Sequence, residues 1–286
     1  MSEIAVITGT THGIGRVTAR ELVRAGRRVV MLCRDPTAAR AVRDAILAEL
    51  PGGAVDIVQC DLASLNSVRE SAAVIRRNYS AISLLINNAG MVSLQHRRSV
   101  DGFELTFAVN HLGPFLLTQL LLDRLAGTAR IVNVASRVHL RATESFEAVA
   151  NPRAPYRSVA AYARSKLANI MYTFALARRL SDTHISVNCL HPGVVASNLL
   201  PFWLRLVKPL FSTVIDVERG ARTTLHLALA PEVTGMTGRY FDEHQNLTPA
   251  SPLATDVGMQ EELWRMSASW TGAPKIATTE VNLCNP

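Results

Sequence analysis

Apolar positions along this chain change period repeatedly. Short, near-continuous apolar runs occur at Ile4–Thr8, Arg28–Cys33, Val55–Cys60, Leu84–Asn87, Arg130–Val134 and Ile185–Leu190. Such runs are what strands covered on both faces require. Between them the apolar residues recur at helical spacing. Amphipathic helices are predicted from about Gly15 to Ala25, from Thr37 to a stop at Pro51-Gly52-Gly53, and from Ser64 to Arg77. Further helical patterns cover Gly102–Leu125, Val159–Leu180 and Val217–Ala230.

This alternation predicts an α/β fold: a doubly wound parallel sheet of Rossmann type, with right-handed crossovers and helices on both faces. No linker divides the chain, so a single domain is expected over residues 1–247. Residues 248–286, rich in Pro, Ser, Thr and Ala, read as an extension on the same domain, with a short helix over Met259–Ser267 and a loose tail.

Composition narrows the classes. Thirty basic against 23 acidic residues give a net charge of +7. The arginines are scattered, without a basic block or a nucleic-acid-binding signature, so no nucleic-acid partner is expected. Cys33, Cys60, Cys189 and Cys284 show no paired spacing, and three of them sit in apolar runs, as buried thiols of a reducing compartment do. The eight histidines form no metal-binding spacing, so no metal is expected. The start, MSEIAVITG, lacks a basic leader before an apolar stretch, and no run of eighteen apolar residues occurs. A signal peptide and a spanning helix are therefore not expected, and a cytoplasmic location is.

The first strand runs into TGTTHGIG, with glycines at 9, 13 and 15. A loop that turns tightly between strand and helix lets the backbone approach a pyrophosphate at the helix N-terminus. Gly9, Thr10, Thr11, His12, Gly13, Ile14 and Gly15 are thus cofactor-binding candidates. The second strand ends in Cys33-Arg34-Asp35. Arg34 is a cation suited to a ribose 2′-phosphate, which favours NADP(H), whereas Asp35 beside it leaves NAD(H) open. Asp61, with Leu62, ends the third strand, where it either reaches the adenine or caps the next segment.

Tyr162 and Lys166 lie four residues apart on a predicted helix and so share a face. An ammonium near a phenol favours phenolate and lets tyrosine exchange a proton near neutral pH. Ser136 ends a strand, Asn88, Ala89 and Gly90 follow another, and Asn110 is a polar residue in an apolar helix. Strand ends are where open α/β sheets bind ligands.

Together TGTTHGIG, CDL, NNAG, the Asn110 helix, the Ser136 strand end, YARSK and HPG resemble the short-chain dehydrogenase/reductase family over about residues 4–245. LCRD, FAVNHLGPFLLT, RIVNVASRVH and VNCLHPGVV are most similar to its retinol-dehydrogenase-like branch, whose members often favour NADP(H). The chain departs from that branch at Ala135, where a second serine is common, and the N-terminal membrane anchor of many retinol dehydrogenases is not expected here. The resemblance implies that Tyr162 is the general acid/base and that Lys166 binds the nicotinamide ribose and lowers the tyrosine pKa. It implies that Ser136 bonds the substrate oxygen and that Asn110 holds a relay water. Pro192, Gly193, Val195 and Ser197 would cover the nicotinamide. The implied reaction interconverts a carbonyl and its alcohol; alternatives are a non-catalytic dinucleotide sensor or a reductase of C=C or C=N bonds.

Residues 197–215 follow as an apolar stretch containing Phe202 and Trp203, read as a lid over a hydrophobic substrate pocket. Core packing and shallow membrane-surface contact are the other readings. Arg137, Arg141, Arg153 and Arg157 border the site as a solvated loop or as partners for an acidic group, and His139 as an incidental loop residue or a substrate contact. The apolar helices at 102–125 and 159–180 fit either burial in a monomer or pairing into a homodimer or homotetramer.

Overall fold

The structure, a computed structural model, describes residues 3–143, 146, 149–150, 155–195 and 214–274. The strands are β1 (Ile4–Thr8), β2 (Arg28–Cys33), β3 (Ala54–Gln59), β4 (Ile82–Asn87), β5 (Leu125–Val134), β6 (Ser186–Leu190), β7 (Val194–Val195), β8 (Val214–Ile215) and β9 (Arg239–Phe241). Seven of them form one parallel sheet in the order β3-β2-β1-β4-β5-β6-β9, while β7 and β8 pair with each other. All six strands expected from the sequence are present. The seventh, β9, is an addition of three residues against β6.

The order reverses at β1, so the switch point lies between β1 and β4. A ligand crevice opens beyond the C-terminal ends of strands at such a point. Side chains alternate across the sheet as a period of two demands. Val6, Val30, Leu85 and Ile131 enter one core with α3 (Leu65–Asn78), α5 (Gly113–Leu121) and α6 (Ser158–Arg179). Ala5, Ile7, Val29 and Val132 enter the other with α1 (Gly13–Arg24), α2 (Pro36–Glu49) and α7 (Val217–Leu229).

The helix expected over Gly102–Leu125 is shorter and interrupted. It begins as α4 (Leu105–Phe107), widens into a π-helical turn over Ala108–Leu112, and continues as α5. By length and composition Leu105–Arg124 could cross a membrane, with a mean hydropathy of 1.4, yet 78% of that window is buried within the fold.

The C-terminal extension packs on the same body through α8 (Pro252–Thr255) and α9 (Val257–Thr271). Trp264 of α9 stacks on Tyr172 of α6 at 5.6 Å, meets Phe115 of α5 edge-on at 5.3 Å, and carries the Arg179 guanidinium over its ring at 3.9 Å. The apolar content of α5 and α6 is thus buried in part within the chain itself. The helix ends at Gly272 in the left-handed region, φ 58°, a conformation glycine adopts without a Cβ clash. It runs longer than the Met259–Ser267 expected, and the tail beyond residue 274 lies outside the described residues.

Candidate active site

The glycine loop and the NNAG segment are joined by a residue the sequence motifs do not single out. Thr8 is buried at the end of β1, and its hydroxyl accepts the N–H groups of Asn88 and Ala89 at 3.1 and 3.0 Å. The Asn88 amide donates back to the carbonyls of Thr8 and Gly9 at 2.9 and 3.2 Å. Only glycine fits at two places here. Gly9 has φ 73°, and a Cβ there would stand 2.8 Å from the Ala89 Cα. At Gly15 a Cβ would overlap the Gly9 carbonyl oxygen and the Asn88 amide.

Gly13 opens α1, and His12 at its N-cap makes no side-chain bond to the helix amides. Among the described residues the first-turn N–H groups, at the positive end of the helix dipole, have no side-chain acceptor, and they lie beside a cradle too tight for side chains. That arrangement fits a dinucleotide pyrophosphate. Thr11 bonds His12 Nδ1 at 3.0 Å, and Thr10, fully buried, meets Cys33 Sγ at 2.9 Å, tying the loop to the tip of β2. Ile14 packs toward Gly220, where an added Cβ would lie 3.2 Å from its Cδ1 and 2.6 Å from Val195 Cγ2. The segment after β6 is thereby brought against the glycine loop.

At the β2 tip the two charged neighbours behave differently. Asp35 caps α2, its carboxylate accepting the N–H groups of Thr37 and Ala38 at 2.8 and 3.2 Å, while Arg34 is exposed. Asp61 closes its own turn by accepting the Ala63 N–H at 2.9 Å, while Ser64 caps α3. Leu62 is buried beneath α5, its carbonyl 2.6 Å from where a Cβ on Gly113 would stand.

Tyr162, Lys166, Ser136, Asn110 and Gly90 converge beyond β4 and β5. Ser136 follows β5, and its hydroxyl accepts the Val138 N–H at 3.3 Å while lying close enough to the Tyr162 phenol to lower its pKa. Lys166 is 2% exposed, donates from Nζ to the Val134 carbonyl at 2.8 Å, and lies 5.6 Å from the Tyr162 ring centre. A Cβ on Gly90 would stand 3.4 Å from Lys166 Nζ and 3.6 Å from Asn110 Oδ1, so this glycine leaves the space between them open.

Burial pushes the Tyr162 pKa up to about 12, with the nearby Ser136 hydroxyl pulling the other way. Burial likewise brings Lys166 down to about 8, and its ammonium is engaged with Val134 rather than with the phenol oxygen. The Asn110 Oδ1 accepts the Met91 N–H at 2.8 Å, and its Nδ2 donates to the Met91 carbonyl at 3.0 Å and to Ser165 Oγ at 2.9 Å. Both polar atoms of this amide are taken up by protein groups.

His191 and Pro192 follow β6, and the His191 N–H donates to the Phe241 carbonyl at 2.8 Å. Burial lowers the His191 pKa to about 4. Gly193 packs against Ile215 and Glu243, and Glu243 pairs with Arg137 at 2.7 Å, giving that arginine a counter-ion within the chain. His139 is 1% exposed and bonds protein groups on both ring nitrogens, in keeping with the incidental reading. Its Nδ1–H donates to the Ser136 carbonyl at 2.8 Å and its Nε2 accepts the Ser251 N–H at 3.2 Å, partners that fix this tautomer. Ser197, Arg153 and the lid as far as residue 213 lie outside the described residues.

Further residues escaped the motif reading. Glu104, 2% exposed, caps α4 by accepting the N–H groups of Thr106 and Phe107 at 2.9 and 2.8 Å, and also accepts the Tyr156 hydroxyl at 2.9 Å. It thereby ties the segment before α6 to the helix that bears Asn110. Its signal in sequence was an acid placed before an apolar helical run.

The family profile for short chain dehydrogenases matches residues 3–203. Human retinol dehydrogenase 14 is 40% identical over 296 residues, covering 94% of this chain and 86% of that protein. Among solved structures, an uncharacterised protein of Mycobacterium Paratuberculosis is 32% identical with a TM-score of 0.78, over 96% of this chain and 95% of that one. Another, described as an NAD(P)-dependent gluconate 5-dehydrogenase of Beutenbergia cavernae with bound NADP, is 26% identical with a TM-score of 0.67, over 84% of this chain and 94% of that one. Sequence, fold and site thus agree that the chain belongs to the short-chain dehydrogenase/reductase family, in its retinol-dehydrogenase-like branch.

Proposed function

We propose that the protein is an NADP(H)-dependent oxidoreductase that reduces a hydrophobic aldehyde or ketone to its alcohol, with Tyr162 as the general acid. The observation that carries this reading is the Ser136–Tyr162–Lys166 cluster, set beside a glycine cradle at a sheet switch point. NADP(H) supplies the hydride. Tyr162, held protonated at neutral pH by burial, donates its phenolic proton to the oxygen on which negative charge develops. Ser136 donates a hydrogen bond to that same oxygen. Lys166 would bind ribose hydroxyls, and its positive charge near the ring stabilises the phenolate left on Tyr162. Gly9, Gly13 and Gly15 admit the pyrophosphate, and Asn88, Ala89, Gly90, Pro192, Gly193 and Val195 wall the nicotinamide end.

The preference for NADP(H) rests on the β2 tip. Asp35 is committed to capping its own helix, so the exposed Arg34 is the charge left to meet a 2′-phosphate. The Beutenbergia structure with NADP and the retinol dehydrogenase relatives support a nicotinamide cofactor and an apolar alcohol or carbonyl partner. The test incubates the protein with NADPH or NADH and a panel of apolar aldehydes, ketones, enones and imines, and identifies products. Alcohols formed faster with NADPH support the proposal. Saturated ketones or amines as sole products would move it to C=C or C=N reduction.

A further inference from the structure

We propose that Ser165 is a positioning residue for this reaction, acting through Asn110; the inference rests on the carbonyl-reductase reading above. Ser165 is 0% exposed and occupies the third place after Tyr162 on α6. Its hydroxyl has two partners from different elements. It donates to the Tyr162 main-chain carbonyl at 2.8 Å and accepts from Asn110 Nδ2 at 2.9 Å. A hydroxyl has one proton to give and lone pairs to receive, so both bonds form together.

The consequence is a closed chain of contacts around the reacting groups. Met91, directly after NNAG, is gripped at both N–H and C=O by the Asn110 amide. Asn110 is gripped by Ser165, and Ser165 bonds the main chain of the residue that bears the phenol. Asn110 lies on the π-helical turn, where an extra residue per turn displaces the backbone from ordinary helical register. A helix with that irregularity needs an external tie to fix its rotation against α6. Ser165 supplies it where both its own hydroxyl and the Asn110 amide are buried, which makes an unmade bond expensive. Gly90, between Lys166 Nζ and Asn110 Oδ1, then inherits its position from both sides.

Removing the hydroxyl leaves α6 intact, because alanine is the better helix former. It frees the Asn110 amide to turn and loosens Met91 and Gly90 against Tyr162 and Lys166. Small misplacements of a reacting constellation lower turnover without abolishing binding.

The experiment measures kcat, KM and NADPH affinity for the parent, Ser165→Ala, Asn110→Ala and the double variant, with the best carbonyl substrate from the panel. The expected result is a fall in kcat of about tenfold for Ser165→Ala, with KM and NADPH affinity within about twofold. The double variant should be no slower than Asn110→Ala alone, because both changes remove one interaction. A merely structural role would multiply the two losses. Parent-like kcat in Ser165→Ala, or multiplicative effects, would overturn the inference and leave the reductase standing. A parent that turns over no carbonyl would remove the reading and this inference with it.

Discussion

Replacing Lys166 by methionine should make the protein inactive and, at neutral pH, more stable. The ammonium is 2% exposed, and burial brings its pKa from 10.5 to about 8. Below pH 8 the folded protein must keep a charge that it would rather shed, at a cost of about 3 kcal/mol. Methionine has similar length and no charge, but it forfeits the bond to the Val134 carbonyl, about 1 kcal/mol. A net gain of about 2 kcal/mol remains at pH 7. The sign with pH follows from the protons bound. Between about 8 and 10.5 the unfolded lysine is protonated and the folded one is not, so the parent gains stability as pH rises through this window and methionine gains none from this site. Urea unfolding of both proteins without cofactor, at pH 7, 9 and 10.5, gives the difference directly. The variant should lead at pH 7 and fall behind by pH 10.5. A difference that stays constant across the three pH values would refute the claim that burial depresses this lysine.

Two other changes probe the cofactor cradle. Gly15→Ala places a Cβ into the Gly9 carbonyl and the Asn88 amide, so NADPH affinity measured by fluorescence titration should drop by at least about tenfold while the fold persists by circular dichroism. Arg34→Ala should raise the KM for NADPH about tenfold and leave that for NADH nearly unchanged in parallel steady-state assays, since only one of the two carries the 2′-phosphate.

Much of this was legible in the sequence because periodicity and packing agree. The six strands expected are parallel and covered on both faces, so their apolar runs report burial directly. β9 was missed because Arg239–Phe241 is three residues long and owes its pairing to β6, which no local pattern reveals. The π-helical turn at Ala108–Leu112 was invisible for a related reason: one inserted residue in a largely apolar helix leaves no clear break in hydrophobicity. Charged residues were harder still. Asp35 sits where a cofactor contact and a cap look alike in sequence, and only the hydrogen bonds to Thr37 and Ala38 show the cap. Thr8 and Ser165 are small hydroxyl residues whose importance lies in partners 80 and 55 positions away. The direction of the Tyr162 shift depends on how deeply the chain buries it, which the Tyr162–Lys166 spacing does not encode.

The most direct test of the central claim is single-turnover oxidation of NADPH by a carbonyl substrate in the parent and in Tyr162→Phe, with NADPH binding measured on both. The account predicts equal binding and a loss of about 10²- to 10⁴-fold in the hydride-transfer rate of the variant. Turnover of the variant at the parent's rate would contradict the role given to Tyr162, and failure of the parent to bind NADP(H) would contradict the account as a whole.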